Sequence, residues 1–262
     1  NHLLEIYNSK KNILKKFFYL FFLILTGPFS FLTCNKVIQY SNESPFFSFF
    51  CKSKILIIGN GVNTKSIVLR KETPSWPSNV LKIVAVGTVA FWHGWDRVIK
   101  IIAKINKDDL IPYKIKFTII GEGPDLQKLI SLSKQLNVEK YVRFTGFLSG
   151  SDLDKEYESA HYGIGSFGWD RVKIFLASPI KTREYLAAGL PVIYSTKDTD
   201  LEKFKDNEFS IYVDTSERNQ ELKDILSNMN TRKIPSPNLC RQFCFQHLDF
   251  IHKARHILEE IE

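Results

Sequence analysis

The sequence predicts an α/β fold built on a doubly wound parallel sheet, and two observations carry that expectation. From residue 81 onward, short apolar runs alternate with amphipathic stretches of helical period. Such alternation calls for parallel strands joined by right-handed crossovers, with helices on both faces of the sheet. The second observation is bulk: 262 residues, 44% of them apolar, suffice for one large domain or two small ones with a sizeable core. The sheet is then Rossmann-like, and ligands are expected at the carboxyl ends of its strands.

Taken in order, residues 1–16 are polar and basic, with Lys10, Lys11, Lys15 and Lys16 ahead of a run from Phe17 to Cys34 that carries no charge and is broken by Gly27-Pro28. Three readings stand for this run. It is a buried helix closing an N-terminal domain, an interfacial helix with lysines on phospholipid head groups, or a span or signal segment. No Ala-x-Ala-like cleavage site follows it, and the start at Asn1 without a methionine suggests a fragment. Residues 36–41 and 55–58 read as short strands, with a sharp turn at Gly59-Asn60-Gly61. Pro74, Pro77 and Ser78 give residues 71–79 the composition of a linker.

Beyond the linker, strands are expected at 81–86, 115–120, 141–147, 161–166, 191–195 and 209–213, with helices at about 95–105, 124–136, 151–160, 179–188, 199–206 and 216–229. Pro235 and Pro237 then precede a single terminal helix over 238–261, with Phe243, Leu248, Ile251, His252, Ile257 and Leu258 on its apolar face.

The formal charge of +8 suits an anionic partner, whether a nucleotide diphosphate, a phospholipid surface or nucleic acid. Lysines are spread along the chain, and no arginine-rich arm, zinc finger or helix-turn-helix is visible, so nucleic-acid binding is not expected. Cys34, Cys51, Cys240 and Cys244 make no evenly spaced disulfide framework, which suits a reducing cytosol. Cys240 and Cys244, with His247, His252 and His256 beyond, lack zinc-ligand spacing. No metal is expected, and the two thiols read as buried on one helical face.

The most informative stretch runs from Ser178 to Tyr194, Ser-Pro-Ile-Lys-Thr-Arg-Glu-Tyr-Leu-Ala-Ala-Gly-Leu-Pro-Val-Ile-Tyr. Ser178 reads as the N-cap and Pro179 as the first helical residue, while Gly189 and Pro191 end the helix. Lys181 falls in the first turn, where unpaired backbone N–H groups disfavour a cation unless an anion is bound. Glu184 lies on the same face, three residues on, where it could accept hydrogen bonds from sugar hydroxyls. On local physics alone, a solvated Lys/Glu pair is an equal alternative.

This stretch resembles the donor-site motif of GT-B glycosyltransferases, specifically the retaining family 4, whose members transfer sugars from nucleotide-sugars. Three more segments resemble that family in the right order: Asn60-Gly61-Val62-Asn63, then Val86-Gly87 with Trp92-His93-Gly94-Trp95-Asp96-Arg97, then Ile120-Gly121-Glu122-Gly123-Pro124. The resemblance implies a GT-B C-terminal donor domain over 66–235, a remnant of the N-terminal acceptor domain over 1–65, and a C-terminal helix, 236–262, crossing back onto that remnant.

By the same resemblance, Lys181 holds the diphosphate with Thr182 and nearby N–H groups assisting, and Glu184 contacts the ribose. The loop from Gly87 to Gly94 faces the diphosphate, with Gly94 at the start of a helix. The commonest family pattern has Arg after the first of these glycines and Lys before the second; here Thr88 and His93 stand in those places. A protonated His93 would still donate to phosphate, with Arg97 a weaker candidate; alternatively His93 and Trp92 pack the loop. The spacing is not Gly-x-Gly-x-x-Gly, so NAD is not expected. Gly121 permits a tight turn under the nucleotide, Glu122 is peripheral, and Gly146 and Phe147 lie where family members read the base. The family pairs two glutamates separated by seven residues, and the first would fall at Leu176.

The implied function is a retaining hexosyltransferase, or its donor-binding part, that takes a sugar from a nucleotide-sugar to a polysaccharide or glycolipid acceptor. No cofactor or metal is implied. The place is cytoplasmic, with peripheral contact at the inner face of the plasma membrane through residues 10–34 as one reading. The alternative is a catalytically inactive, membrane-attached nucleotide-sugar-binding module. A nucleotide-sugar epimerase on the same architecture matches the motifs less well.

Overall fold

In the computed structural model, which describes residues 17–18, 21–22, 25, 33–40, 52–204, 207–214 and 220–261, the apolar runs become strands wherever β-branched residues alternate faces. Near the start, β1 (Val37–Gln39) and β2 (Ile55–Ile57) pair in parallel as a separate two-stranded sheet. The main elements follow in order: β3 (Val80–Val86), α1 (Trp95–Ile105), β4 (Lys114–Ile120), α2 (Leu126–Gln135), β5 (Val142–Gly146), α3 (Gly150–Ser159) and β6 (Tyr162–Ile164). Then come β7 (Leu176–Ala177), α4 (Ile180–Ala187), β8 (Val192–Tyr194), β9 (Lys197–Asp198), β10 (Ser210–Tyr212), α5 (Gln220–Ser227), α6 (Pro237–Leu248) and α7 (Phe250–Ile261).

Six of these strands form one parallel sheet in the order β10-β8-β6-β3-β4-β5, while β7 and β9 pair apart from it. The chain starts in the middle at β3, winds outward through β4 and β5, and returns to the other side of β3 with β6. The strand order therefore reverses between β3 and β6, and a crevice opens at their carboxyl ends. Along β3 the side chains alternate as the pleat requires. Leu81, Ile83 and Ala85 join Val98, Ile99, Ile102 and Ile105 of α1 on one face, and Val84 meets Tyr185, Leu186 and Leu190 on the other.

Four expectations change in the folded chain. The 199–206 helix is a 3-10 turn at Leu201–Phe204, because the Asp198 carboxylate accepts the N–H groups of Asp200 and Leu201 and tightens the chain there. The terminal helix is two helices, broken at Asp249. That residue is extended (φ −71°, ψ 142°), and its carboxylate accepts from the N–H groups of Thr64 and Ile251. The break lets Val62 exchange backbone hydrogen bonds with Leu248 and Phe250 at 3.1 and 2.9 Å, which ties α6 and α7 to the segment before the sheet. Residues 71–79 are anchored: Trp76 donates its indole N–H to the Met229 carbonyl at 3.0 Å and packs edge-on against Tyr113. Ser178 does not cap the helix. Its hydroxyl accepts the Asn60 N–H at 2.6 Å, and Pro179, with ψ 129°, sits at the cap instead of inside the first turn.

Two buried guanidinium groups fix α4 from either end. Arg70 donates to the carbonyls of Gly189 (2.9 Å) and Ala160 (2.7 Å), at the carboxyl ends of α4 and α3, where helix dipoles favour a cation. Arg183, fully buried on α4, bonds both carboxylate oxygens of Asp198, one at 2.7 Å, and Asp200 at 2.7 Å; Lys253 of α7 also reaches Asp200. Two cations and two carboxylates balance, so the cluster is neutral as a whole. Breaking such a cluster from one side strands the remaining charges. Arg183→Met should lower unfolding free energy by about 3–5 kcal/mol, read as a fall in the urea midpoint; a change within 1 kcal/mol would refute this account.

Candidate functional site

The crevice between β3 and β6 is filled by Tyr185 of α4. Its ring lies against Gly163, where any Cβ would run into it. Its hydroxyl accepts the Val86 N–H at 2.8 Å and points to the Ile164 carbonyl at 3.4 Å. One side chain thus joins the carboxyl ends of both strands at the switch point. Because Lys181 and Glu184 sit on the same short helix, this anchor also places them over the crevice.

The Lys181 amine comes to rest where the glycine loop after β3 passes beneath it. A Cβ on Gly87, whose φ is +143°, would lie 3.1 Å from Lys181 Nζ, so a glycine there keeps the amine in place. The amine lies 3.2 Å from Nδ1 of His93 and 5.0 Å over the ring of Trp95. His93 stacks on Trp95, their ring centroids 4.8 Å apart, and Nδ1 meets the Ser166 hydroxyl at 2.8 Å. The backbone N–H groups of Ile180 and Lys181, at the start of α4, have no acceptor within the described residues.

Burial pushes the Lys181 ammonium down to about 7, against the opposing attraction of Glu184. The half-buried Glu184 carboxylate is raised by its own desolvation and partly restored by Lys181. His93 is driven down to about 3 by burial and by the adjacent lysine, against a hydrogen bond to the Thr88 backbone. It is therefore a neutral imidazole at ordinary pH, which corrects the expectation of a protonated phosphate donor.

The remaining sequence candidates divide. Gly121, with φ +131°, presses its turn against that of Gly87, where a Cβ would strike the Gly87 carbonyl oxygen; its N–H donates to the Gly146 carbonyl at 2.8 Å. The turns after β3, β4 and β5 are thereby laced side by side, with Gly123 pressed against Val89 in the same way. Gly94, expected to face the diphosphate, has its side-chain space taken by the backbone of Phe167 and Gly168. Arg97 is committed to Asp170 through two hydrogen bonds, at 2.8 and 2.7 Å. Thr182 donates its hydroxyl proton to the Pro179 carbonyl at 2.9 Å. Thr88 is exposed beside the lysine, and Phe147 is exposed at the end of β5 with nothing but Glu122 near the Gly146 side-chain position. Leu176 is partly buried in β7.

Three residues of the site were not read from the sequence: Tyr185, Ser166 and Trp95. Tyr185 was within view, four residues after Lys181 and so on the same helical side. Ser166 meets His93 only because β3 and β6 are neighbours, and no local signal marks that, whereas Trp95 is a neighbour of His93 in sequence. A wider surface groove of about 590 Å³ lies along α1 and α2, but its lining contains neither Lys181 nor Glu184. Its Asp96 pairs with Arg171 and its Asp125 with Lys128.

A lysine poised near neutrality should gain a proton when an anion arrives. At pH 8, where about nine-tenths of such amines are uncharged, binding of uridine or guanosine diphosphate should draw close to one proton from solution. Calorimetry in buffers of different ionisation enthalpy measures this. Lys181→Arg, always charged, should bind without the uptake; equal uptake in both proteins would place the proton elsewhere.

With this geometry in hand, three comparisons bear on identity. The family model described as "Glycosyl transferases group 1" matches residues 69–239, more than half of the chain. An uncharacterized glycosyltransferase of Methanocaldococcus jannaschii is 26% identical over 174 residues, which cover 62% of this chain and 41% of the archaeal protein. Among solved structures, the lipopolysaccharide outer core galactosyltransferase WaaB in its apo form superposes with a TM-score of 0.67 at 13% identity, covering 87% of this chain and 62% of WaaB. Anabaena HepE, solved with UDP and glucose, gives 0.64 at 16% identity, covering 90% and 65%. The chain thus spans less than two thirds of these relatives, and the likeness to solved structures is one of fold. Taken with the six-stranded parallel sheet, the family match identifies the chain as a member of the glycosyl transferases group 1 family, built on the GT-B Rossmann-like domain.

Proposed function

We propose that this chain is the donor-binding part of a retaining glycosyltransferase that moves a hexose from a nucleotide-sugar to a polysaccharide or glycolipid acceptor. The observation that carries this reading is the desolvated Lys181 amine above Gly87, next to the two N–H groups at the start of α4 that have no acceptor among the described residues. A diphosphate laid there would meet a cation and a helix start together. HepE was solved with UDP and glucose, and TarM of S. aureus with UDP, which supports a nucleotide diphosphate as the anion here.

In the transfer step, the bond from the anomeric carbon to the β-phosphate oxygen breaks and a bond to the acceptor hydroxyl oxygen forms on the same face. The departing diphosphate takes up the acceptor's proton. Charge accumulates on the leaving group, and Lys181 with the α4 N–H groups would stabilise it by pre-placed electrostatics. Glu184, one turn along, would accept hydrogen bonds from the ribose hydroxyls. Leu176 stands where the family's first glutamate would be and has no hydrogen-bonding group for a donor sugar.

That leucine favours a second reading, a membrane-attached module that binds nucleotide-sugar without transferring it. The helical residues Phe17, Phe18, Phe21 and Leu25 are 56% to 74% exposed at one-face spacing, downstream of four lysines. Among the described residues no helix is long and apolar enough to cross a membrane.

Two measurements separate these readings. Lys181→Ala should weaken binding of uridine or guanosine diphosphate by about 10- to 100-fold, the worth of a charge-assisted hydrogen bond; unchanged affinity would remove the donor site. For the membrane reading, the chain should sediment with phosphatidylglycerol vesicles and a Phe17→Ser/Phe21→Ser variant should not. Equal partition of the two proteins would dismiss the contact.

A further inference from the structure

We propose that two copies of one pentapeptide, Gly-Trp-Asp-Arg-Val at 94–98 and 168–172, clasp each other beyond the carboxyl ends of β3 and β6 and position the aromatic wall on which the Lys181 amine rests. The consequence for a bound diphosphate rests on the donor-site reading above; the clasp and its wall do not.

The two copies meet as a self-complementary pair. The aspartate of each faces the arginine of the other: Arg97 donates to the two carboxylate oxygens of Asp170 at 2.8 and 2.7 Å, and Arg171 donates to Asp96 at 2.9 Å. Each arginine also reaches a backbone carbonyl on the opposite loop, Arg97 that of Phe167 and Arg171 that of Phe91 at 2.7 Å. Within each copy the arginine N–H donates to its own glycine carbonyl, at 3.0 Å in the first and 3.1 Å in the second, so both open the same kind of turn. The glycines touch. A Cβ on Gly94 would lie 2.6 Å from the Gly168 nitrogen and one on Gly168 2.9 Å from the Gly94 nitrogen, and beside them the Phe167 N–H donates to the His93 carbonyl at 2.7 Å. Exchanging the copies leaves this set of contacts nearly unchanged, as in an isologous interface.

The tryptophans carry the clasp to the site. Trp95 stacks on the His93 ring with centroids 4.8 Å apart, and Trp169 meets the same ring edge-on at 6.4 Å. Ser166, two residues before the second copy, meets Nδ1 of that ring at 2.8 Å. One imidazole is thus held by groups from both loops. The Lys181 amine lies 3.2 and 3.4 Å from its two nitrogens, over the face of the ring, and 5.0 Å over Trp95. These rings shield one side of the amine from water, and Glu184 on its own helix is the charged group that faces it. Taken singly, the ion pairs would be surface pairs of small worth. Joined through a two-pronged guanidinium, backbone carbonyls and touching glycines, they keep the two loops in one register. Arg97 therefore acts on the site through the wall, without touching phosphate.

The test opposes two effects of charge. Asp170→Arg sets two arginines against each other and should part the loops, whereas Arg97→Asp/Asp170→Arg restores a pair with its direction reversed. The first readout needs no ligand: the pH dependence of Lys181 acetylation by acetic anhydride, followed by mass spectrometry of its peptide. An added cation would by itself lower the amine's midpoint, and water reaching the amine would raise it. Asp170→Arg should therefore raise the midpoint by about one pH unit, and the reversed pair should return it toward wild type. The second readout is affinity for uridine diphosphate at pH 6, where the amine is mostly charged in every variant. Asp170→Arg should lose about 5-fold, part of the worth of a charge-assisted hydrogen bond, and the reversed pair less than about 2-fold. Should Asp170→Arg fail to fold, Asp96→Asn/Asp170→Asn removes both carboxylate charges without opposing the arginines and should move the midpoint in the same direction. A midpoint unmoved or lowered in the folded variant, or a reversed pair no nearer wild type than the single change, would overturn the proposal. A raised midpoint with unchanged affinity for uridine diphosphate would sustain the clasp and reject the donor-site reading instead.

Discussion

Tyr185 is a fully buried tyrosine whose hydroxyl bonds the last N–H of β3 and faces the carbonyl of Ile164 in β6. At a switch point the two central strands part company, and their terminal polar groups need partners that no further strand provides. Tyr185 supplies one, and its ring takes the volume that Gly163 leaves open. Everything on α4 inherits its position from that contact, because an eight-residue helix has little stability of its own. The ion cluster around Arg183 and the carbonyl cap by Arg70 then lock the helix from its sides.

The electrostatic character of the crevice follows from the same burial. Placing a lysine at a helix start and withdrawing it from water opposes its charge twice over, through the N-terminal dipole and through desolvation. Glu184 offsets part of this, and the amine still sits near neutrality. Such an arrangement would be relieved by an anion placed beside the amine. It also separates the two ionic clusters by role. Arg183, Lys253, Asp198 and Asp200 are mutually satisfied and structural, whereas Lys181 has no carboxylate within ion-pair distance among the described residues.

The glycines of the strand ends are used differently from a phosphate cradle. Gly121 lets its turn press on Gly87, Gly123 presses on Val89, and Gly94 lets the loop after β3 lie against Phe167–Gly168. Gly87 borders the lysine. The turns support one another at van der Waals contact, and the crevice floor is rigid because backbone meets backbone across it.

Periodicity and punctuation were enough to determine the strand-helix alternation, the parallel sheet and the helix bearing Lys181 and Glu184, since each depends on residues within a turn or two of one another. That Lys181 and Glu184 share one helical face could be read from their spacing, and the family from the motif around them. What the sequence left undecided is which groups face that lysine. His93 reads as a cation or as packing until Ser166 and Lys181 are brought beside it, and Ser166 arrives there because β3 and β6 are neighbours. Ser178 reads as a cap until Asn60, more than a hundred residues earlier, takes its hydroxyl. Protonation and hydrogen-bond partners depend on the dielectric and on long-range neighbours, so only the folded chain assigns them.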